Sequence, residues 1–280
     1  MIKYLNTNFN YDEKFVETYD EAPLWSSIFA QLLFENINYE DHISIIDLAC
    51  GTGFPTFELA QRFGSNCKIY GVDQWKEALK RAEVKKFNYL VDNVQFLECN
   101  AENIDLPNDS IDLIVSNLGI NNFSNIENCL KEMNRVIKNN GKIIITTNIK
   151  GHFKEFYDIF EKTLFEENEL NLLNDLKNHI AHRGTIKSIS KKFNDFGFKK
   201  IKVKKKVIKY NYFNGTSFLN HYFIKAGFLD SWKQLVGKNN LENIFKKLES
   251  NLNKYSNKKG KLSLSVPVLY LEFVKNRPVT

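Results

Sequence analysis

Between residues 43 and 147 the chain alternates short apolar runs with stretches of helical period. Residues 43–48 form a short, largely apolar run of the kind a strand buried on both faces displays. Phe57, Leu59 and Ala60 then open a helical pattern. Residues 68–73, 94–98, 110–116 and 142–147 read as further strands, and residues 76–87 and 125–138 as helices, with a turn predicted at 139–141. Upstream, Leu24, Ile28, Leu32 and Phe34 lie near helical spacing and predict a helical cap over residues 1–41. Downstream, Phe153, Phe156, Phe160 and Leu164 share one helical face, which predicts a helical insertion over 151–183. Residues 186–196 read as a helix and 198–210 as a lysine-rich strand. Residues 211–258 carry a helical aromatic face that includes Phe218, Tyr222, Phe228 and Trp232, and 262–274 closes the chain as a strand.

The connection after the first strand is the most informative stretch. Gly51 and Gly53 allow a sharp turn and a close approach of backbone to a ligand, and the following helix points free N–H groups at whatever fills the turn. Thr56 stands where a dinucleotide fingerprint needs its third glycine, and no Gly-Lys-Ser/Thr follows, so two common nucleotide motifs are excluded. The run from Ile43 to Leu59 closely resembles the first motif of class I S-adenosylmethionine-dependent methyltransferases: Asp47 ends the strand, and Ala49, Gly51 and Gly53 alternate through the turn. Pro55 departs from the commonest pattern, at a helix start where proline is tolerated.

The resemblance implies S-adenosylmethionine as cofactor, held by Asp47, Ala49, Gly51 and Gly53. Asp73 follows Gly53 by 20 residues, where a carboxylate accepts both ribose hydroxyls. Gln74 and Trp75 would flank the adenine. Asn100, Ala101 and Glu102 stand where the family usually has Asp-Ala, so the adenine contact loses a charge. Asn117 begins a loop expected to face the reacting methyl group, with Asn121 and Asn122 as candidates to orient substrate. Residues 132–141 resemble the family's acidic-x-x-Arg stretch, with Asn139 and Asn140 in place of Pro and Gly. The Tyr19-Asp20 pair resembles a segment that folds over the cofactor in small-molecule members, and Trp25 follows it.

Composition narrows the setting. The 280 residues include no run of 18 apolar residues and no signal-peptide pattern at the start, so a soluble cytoplasmic protein is expected. Four separated cysteines without a C-x-x-C pair argue for free thiols, with no metal site. Residues 181–280 hold 22 Lys and Arg against 5 Asp and Glu, a net +17, and the rest carries −11. Much of that excess lies in residues 198–210, where lysines blunt an exposed edge strand.

The expected fold is therefore α/β: a Rossmann-like, seven-stranded, mostly parallel sheet with a helical N-terminal cap and helical insertions. The divisions are a cap at 1–41, a cofactor-binding core at 42–150, a helical insertion at 151–183, and the end of the sheet at 184–280 with a helical lid at 211–258. The expected function is methyl transfer to a small-molecule acceptor, an anionic one being in keeping with the basic third. Tyr19, His152 and His221 are the candidates for a general base, while His179 and His182 match no metal motif. An RNA methyltransferase using the basic third and a non-catalytic cofactor-binding protein are the alternatives.

Overall fold

The computed structural model describes residues 2–7, 9–20 and 24–276. After a 3-10 turn at Lys3–Asn6, the elements run α1 (Glu13–Asp20), α2 (Leu24–Phe34), β1 (Ser44–Leu48), α3 (Thr56–Phe63), β2 (Lys68–Asp73), α4 (Lys76–Tyr89), β3 (Val94–Glu98) and β4 (Ile111–Asn117). Then come α5 (Ile126–Val136), β5 (Ile137–Asn148), α6 (Lys154–Glu166), α7 (Leu172–Ala181), α8 (Ile186–Asp195) and β6 (Phe198–Tyr212). The last are α9 (Gly215–Asn220), α10 (Tyr222–Ile224), α11 (Asp230–Val236), α12 (Leu241–Lys259) and β7 (Leu262–Lys275). Seven strands form one sheet in the order β3-β2-β1-β4-β5-β7-β6. The pairs joining β3 through β5 are parallel, and β7 is antiparallel to β5, with Lys142 opposite Val274 and Asn148 opposite Val268.

Packing divides the chain into two compact units. A sheet unit comprises Tyr11–Asn148, Thr185–Lys206 and the chain from Val268 onward, and a helical unit comprises the first ten residues, Ile149–Gly184 and Val207–Pro267. The predicted cap therefore divides, its first ten residues belonging with the helical unit.

In the sheet unit β1 is central, and Ile45, Ile46 and Leu48 are wholly buried because helices cover both faces of a parallel sheet. Helix α5 buries Cys129, Leu130, Met133 and Val136 along one stripe, and the Asn125 side chain caps it by accepting from the Asn128 N–H at 3.1 Å. Arg135 on that helix pairs with Glu132 and donates to the carbonyls of Ile104 and Leu106, fastening the loop before β4.

The turn expected at 139–141 lies inside β5 instead. Ile137 pairs with Ile111 and Lys142 with Leu113, so the intervening residues bulge out, with Asn140 at φ +65°. Asparagine's tolerance of the left-handed region is spent on an irregularity within a strand rather than on a connection.

The helical unit closes on aromatic rings: Phe156 and Trp232 lie 4.3 Å apart, Phe153 and Phe218 5.8 Å, and Phe160 and Phe245 6.2 Å. Glu155 is tied to Lys209, to the Ser265 N–H and to the Ser265 hydroxyl.

Candidate active site

Loops at the carboxyl ends of β1, β2, β3 and β4 converge on a cavity of about 300 Å³ in the sheet unit. Tyr19 and Asp20 of α1 and Ser26 of α2 complete its lining. This is the position at which open α/β sheets bind ligands.

The β1 turn is built for a close-fitting guest. Ala49 adopts φ +64°, and the N–H groups of Ala49 and Cys50 donate to Val72 O at 2.8 and 3.1 Å, locking the turn to β2. Gly51 lies at φ +55° with open space where a Cβ would stand, and that space faces the cavity it lines. Gly53 is at φ +93°, and a Cβ there would fall 2.3 Å from Cε2 of Phe57, so α3 packs against the turn only because this residue has none.

Asp73 crosses from β2 to this turn. One carboxylate oxygen accepts the Gly51 N–H at 2.8 Å and the other the Trp75 N–H at 2.9 Å. Each oxygen has two lone pairs, so one on each remains for a further donor. Trp75 lies in a cluster with Tyr11, Phe15 and Tyr19, at centroid distances of 6.2, 6.0 and 5.9 Å. Its indole Nε1 is buried and has no hydrogen-bond partner among the described residues. An orphaned donor beside two anchored acceptors fits a polar nucleoside, and so fits S-adenosylmethionine.

Gln74, Asn100 and Ala101 also line the cavity, with Asn100 Nδ2 donating to Gln74 Oε1 at 2.9 Å and its carbonyl oxygen accepting the Glu102 N–H at 2.9 Å. Asn117 also lines the cavity and is buried. Its Oδ1 accepts from Thr146 Oγ1 at 2.6 Å, and its Nδ2 donates to Ser26 O at 3.2 Å. Asn122 joins the lining, whereas Asn121 turns to Thr147 and Asn148, donating to each at 2.7 Å.

Three residues expected at the cofactor stand behind the lining. Glu102 accepts from Asn128 Nδ2, and Gly53 supports the turn from beneath. Asp47 is fully buried. Thr56 Oγ1 donates to its Oδ2 at 2.6 Å, and its Oδ1 has no partner among the described residues. Burial, reinforced by the charge of Asp73, overcomes the Thr56 bonds and raises its pKa to about 7.

The expected bases fare differently. Tyr19 lines the cavity, but burial and then the Asp73 carboxylate raise its pKa, so its phenol is a donor at neutral pH rather than a base. His152 and His221 belong to the helical unit and do not line this cavity. His152 is 2% exposed and stacks on Phe153 at 3.9 Å, with Phe228 also within 5.5 Å. Burial and then Arg183 lower its pKa well below the ordinary value. His221 packs edge-on to Tyr212, and burial and then Lys225 lower its pKa.

Sequence reasoning missed the fastening of α1. Asp20 accepts from Thr52 Oγ1 at 2.8 Å, Lys85 Nζ at 2.8 Å and Arg81 Nε at 3.1 Å, joining the cap to the glycine turn and to α4. Arg81 and Lys85 sit one helical turn apart, a spacing that says nothing about a partner more than 60 residues away.

A family model described as methyltransferase domain matches residues 39–247. The demethylmenaquinone methyltransferase of Geobacillus sp. (strain WCH70) is 32% identical over 110 residues, 39% of this chain and 47% of that one. The ubiquinone/menaquinone biosynthesis C-methyltransferase UbiE of Cronobacter sakazakii is 29% identical over 122 residues, 43% and 49% of the two chains. The chain thus spans about half the length of these curated relatives. The structure of a SAM-dependent methyltransferase from Aquifex aeolicus superposes with a TM-score of 0.53 at 18% identity, covering 70% of this chain and 92% of that one, and shows the same fold. With the family match extending over most of the chain, this protein belongs to the methyltransferase-domain family of class I S-adenosylmethionine-dependent methyltransferases.

Proposed function

We propose that the chain transfers a methyl group to a small, uncharged acceptor whose nucleophile needs no enzymic base. The observation that carries this reading is the composition of the cleft wall: among the described residues, the lining side chains of ordinary charge are Asp20 and Asp73, with no Lys, Arg, His or Glu. Asp20 is committed to its two cations and Asp73 to the turn, with its remaining lone pairs assigned to the ribose in this proposal. An anionic acceptor would find no counter-charge in this wall. A protonated amine or alcohol would find no group to take its proton.

Bound here, S-adenosylmethionine supplies a methyl group already activated by its sulfonium centre. The chain's own contribution is to hold, orient and dry. Asp73 would receive the ribose hydroxyls on its two remaining lone pairs. Trp75 and the Gln74–Asn100 pair would border the base, Ala49 and Gly51 would let the backbone approach, and Asn117, fixed by Thr146 and Ser26, would be available to orient the acceptor. Asp47 acts indirectly, by anchoring the start of α3 through Thr56. Tyr19 offers a hydrogen bond and an aromatic face. Alignment and exclusion of water account for large accelerations when the leaving group is already activated. Relatives named as quinone C-methyltransferases make electron-rich ring carbons a natural first class of acceptor.

The test is a methyl-labelled donor assay across neutral quinols and phenols, carboxylate metabolites, amines and RNA. Label in the neutral quinol or phenol class supports the proposal. Label confined to carboxylates, amines or RNA refutes it.

A further inference from the structure

The lysine-rich strand β6 contributes no residue to the lining of the cleft. It occupies the edge of the sheet, and its stretch 199–206 is exposed except at Lys202, which is half-buried. Lys202 turns inward, donating to Asn36 O at 2.6 Å and lying 5.6 Å from the centre of the Tyr270 ring. Lys199, Lys200, Lys204, Lys205 and Lys206 have no ion pair among the described residues. The sequence carries no Asp or Glu from residue 196 to residue 229, so nothing local neutralises them. Strand alternation places Lys199, Ile201, Val203 and Lys205 on one face. Ile201 is 48% and Val203 41% exposed, an apolar pair bracketed by two cations.

We infer that this face of β6 docks on an anionic lipid bilayer. Two β-branched side chains at the headgroup boundary with lysines on either side combine the two contributions that hold a peripheral protein there: burial of apolar area and attraction to anionic headgroups. The flexible lysine stems reach the headgroups while their methylenes cover the apolar pair. Nucleic acid fits the same charge less well, because residues 199–206 offer no aromatic ring on which a base could stack and no arginine. Edge-to-edge pairing with a second copy would set lysine against lysine.

The experiment is co-sedimentation of the full chain with phosphatidylcholine vesicles and with equimolar phosphatidylcholine and phosphatidylglycerol vesicles, at low and high salt, beside a ribosomal RNA control. The expected result is partitioning at least about tenfold stronger to the anionic vesicles, weakened but not abolished by salt. The variant K199E/K205E should lose about tenfold or more of that binding, and K199R/K205R should keep it. I201S/V203S should remove the part that survives high salt. No preference for anionic vesicles in the unaltered chain, or binding to RNA in place of vesicles, overturns the inference whatever the variants do. Undiminished binding by a folded K199E/K205E protein also overturns it.

Discussion

Replacing Asp73 with asparagine tests the cofactor site at its most exacting point. In the native chain both carboxylate oxygens accept backbone N–H groups, from Gly51 and from Trp75, leaving one lone pair on each for a ribose hydroxyl. Asparagine has nearly the same shape but exchanges one oxygen for an NH₂ that accepts nothing. One ribose bond is lost, the other loses its charge assistance, and the amide sets a donor against one of the two backbone N–H groups. Bonds to a charged group contribute about 1.5–3 kcal/mol each, so Asp73→Asn should weaken cofactor binding by about 2–4 kcal/mol, roughly thirty- to a thousandfold. The orphaned N–H should cost the fold about 1–2 kcal/mol, roughly 2–8 °C in melting temperature for a unit of this size. Calorimetric titration with S-adenosylhomocysteine reads the first quantity, and a thermal melt without ligand the second. A folded Asp73→Asn protein that binds within threefold of the native affinity would refute the assignment of the ribose to Asp73.

Three further outcomes follow from named contacts. Asp20→Asn should leave Lys85 without its charge partner and release α1, raising hydrogen exchange across residues 13–20 and weakening cofactor binding, with about 1–3 kcal/mol lost in stability; unchanged exchange would contradict the fastening. Asp47 has a native pKa raised to about 7 from 3.8, so its contribution to stability is complete below pH 4 and lost as pH rises through about 7. Asp47→Asn should therefore flatten the decline between pH 5 and pH 8, which is at most about 3 kcal/mol, and equal pH slopes for the two proteins would exclude this. Glu155 runs the opposite way. Burial alone would raise its pKa, but Lys209 and Ser265 outweigh that and lower it to about 2, so its stabilisation is present above pH 4.5 and lost as pH falls through about 2. Glu155→Gln should cost about 2–3 kcal/mol at pH 7 and nothing at pH 2 in denaturant titrations.

The sequence was most legible where local chemistry is decisive. The apolar run of β1, the alternating small residues of its turn and the acid ending β2 predicted the cleft, because a backbone approaching a ligand needs glycines at set positions and a ribose needs a carboxylate at a set distance. It was least legible where partners are distant in the chain. Asp47 has the same motif position as in the family, but nothing local says that Thr56 will claim one of its oxygens and burial isolate the other. His152 and His221 looked suited to catalysis because histidines titrate near neutrality, yet they pack among the rings of the helical unit. The Asp20 fastening joins residues more than 60 positions apart, and the bulge at Asn140 uses turn chemistry within a strand.

The central claim is that the cleft above β1 and β2 is built for S-adenosylmethionine. Calorimetric titration of the full chain with S-adenosylmethionine and S-adenosylhomocysteine, beside NAD, tests it most directly. The account predicts stoichiometric, micromolar binding of the first two and none of NAD. Binding of NAD alone, or of none of the three by a folded chain, would contradict it.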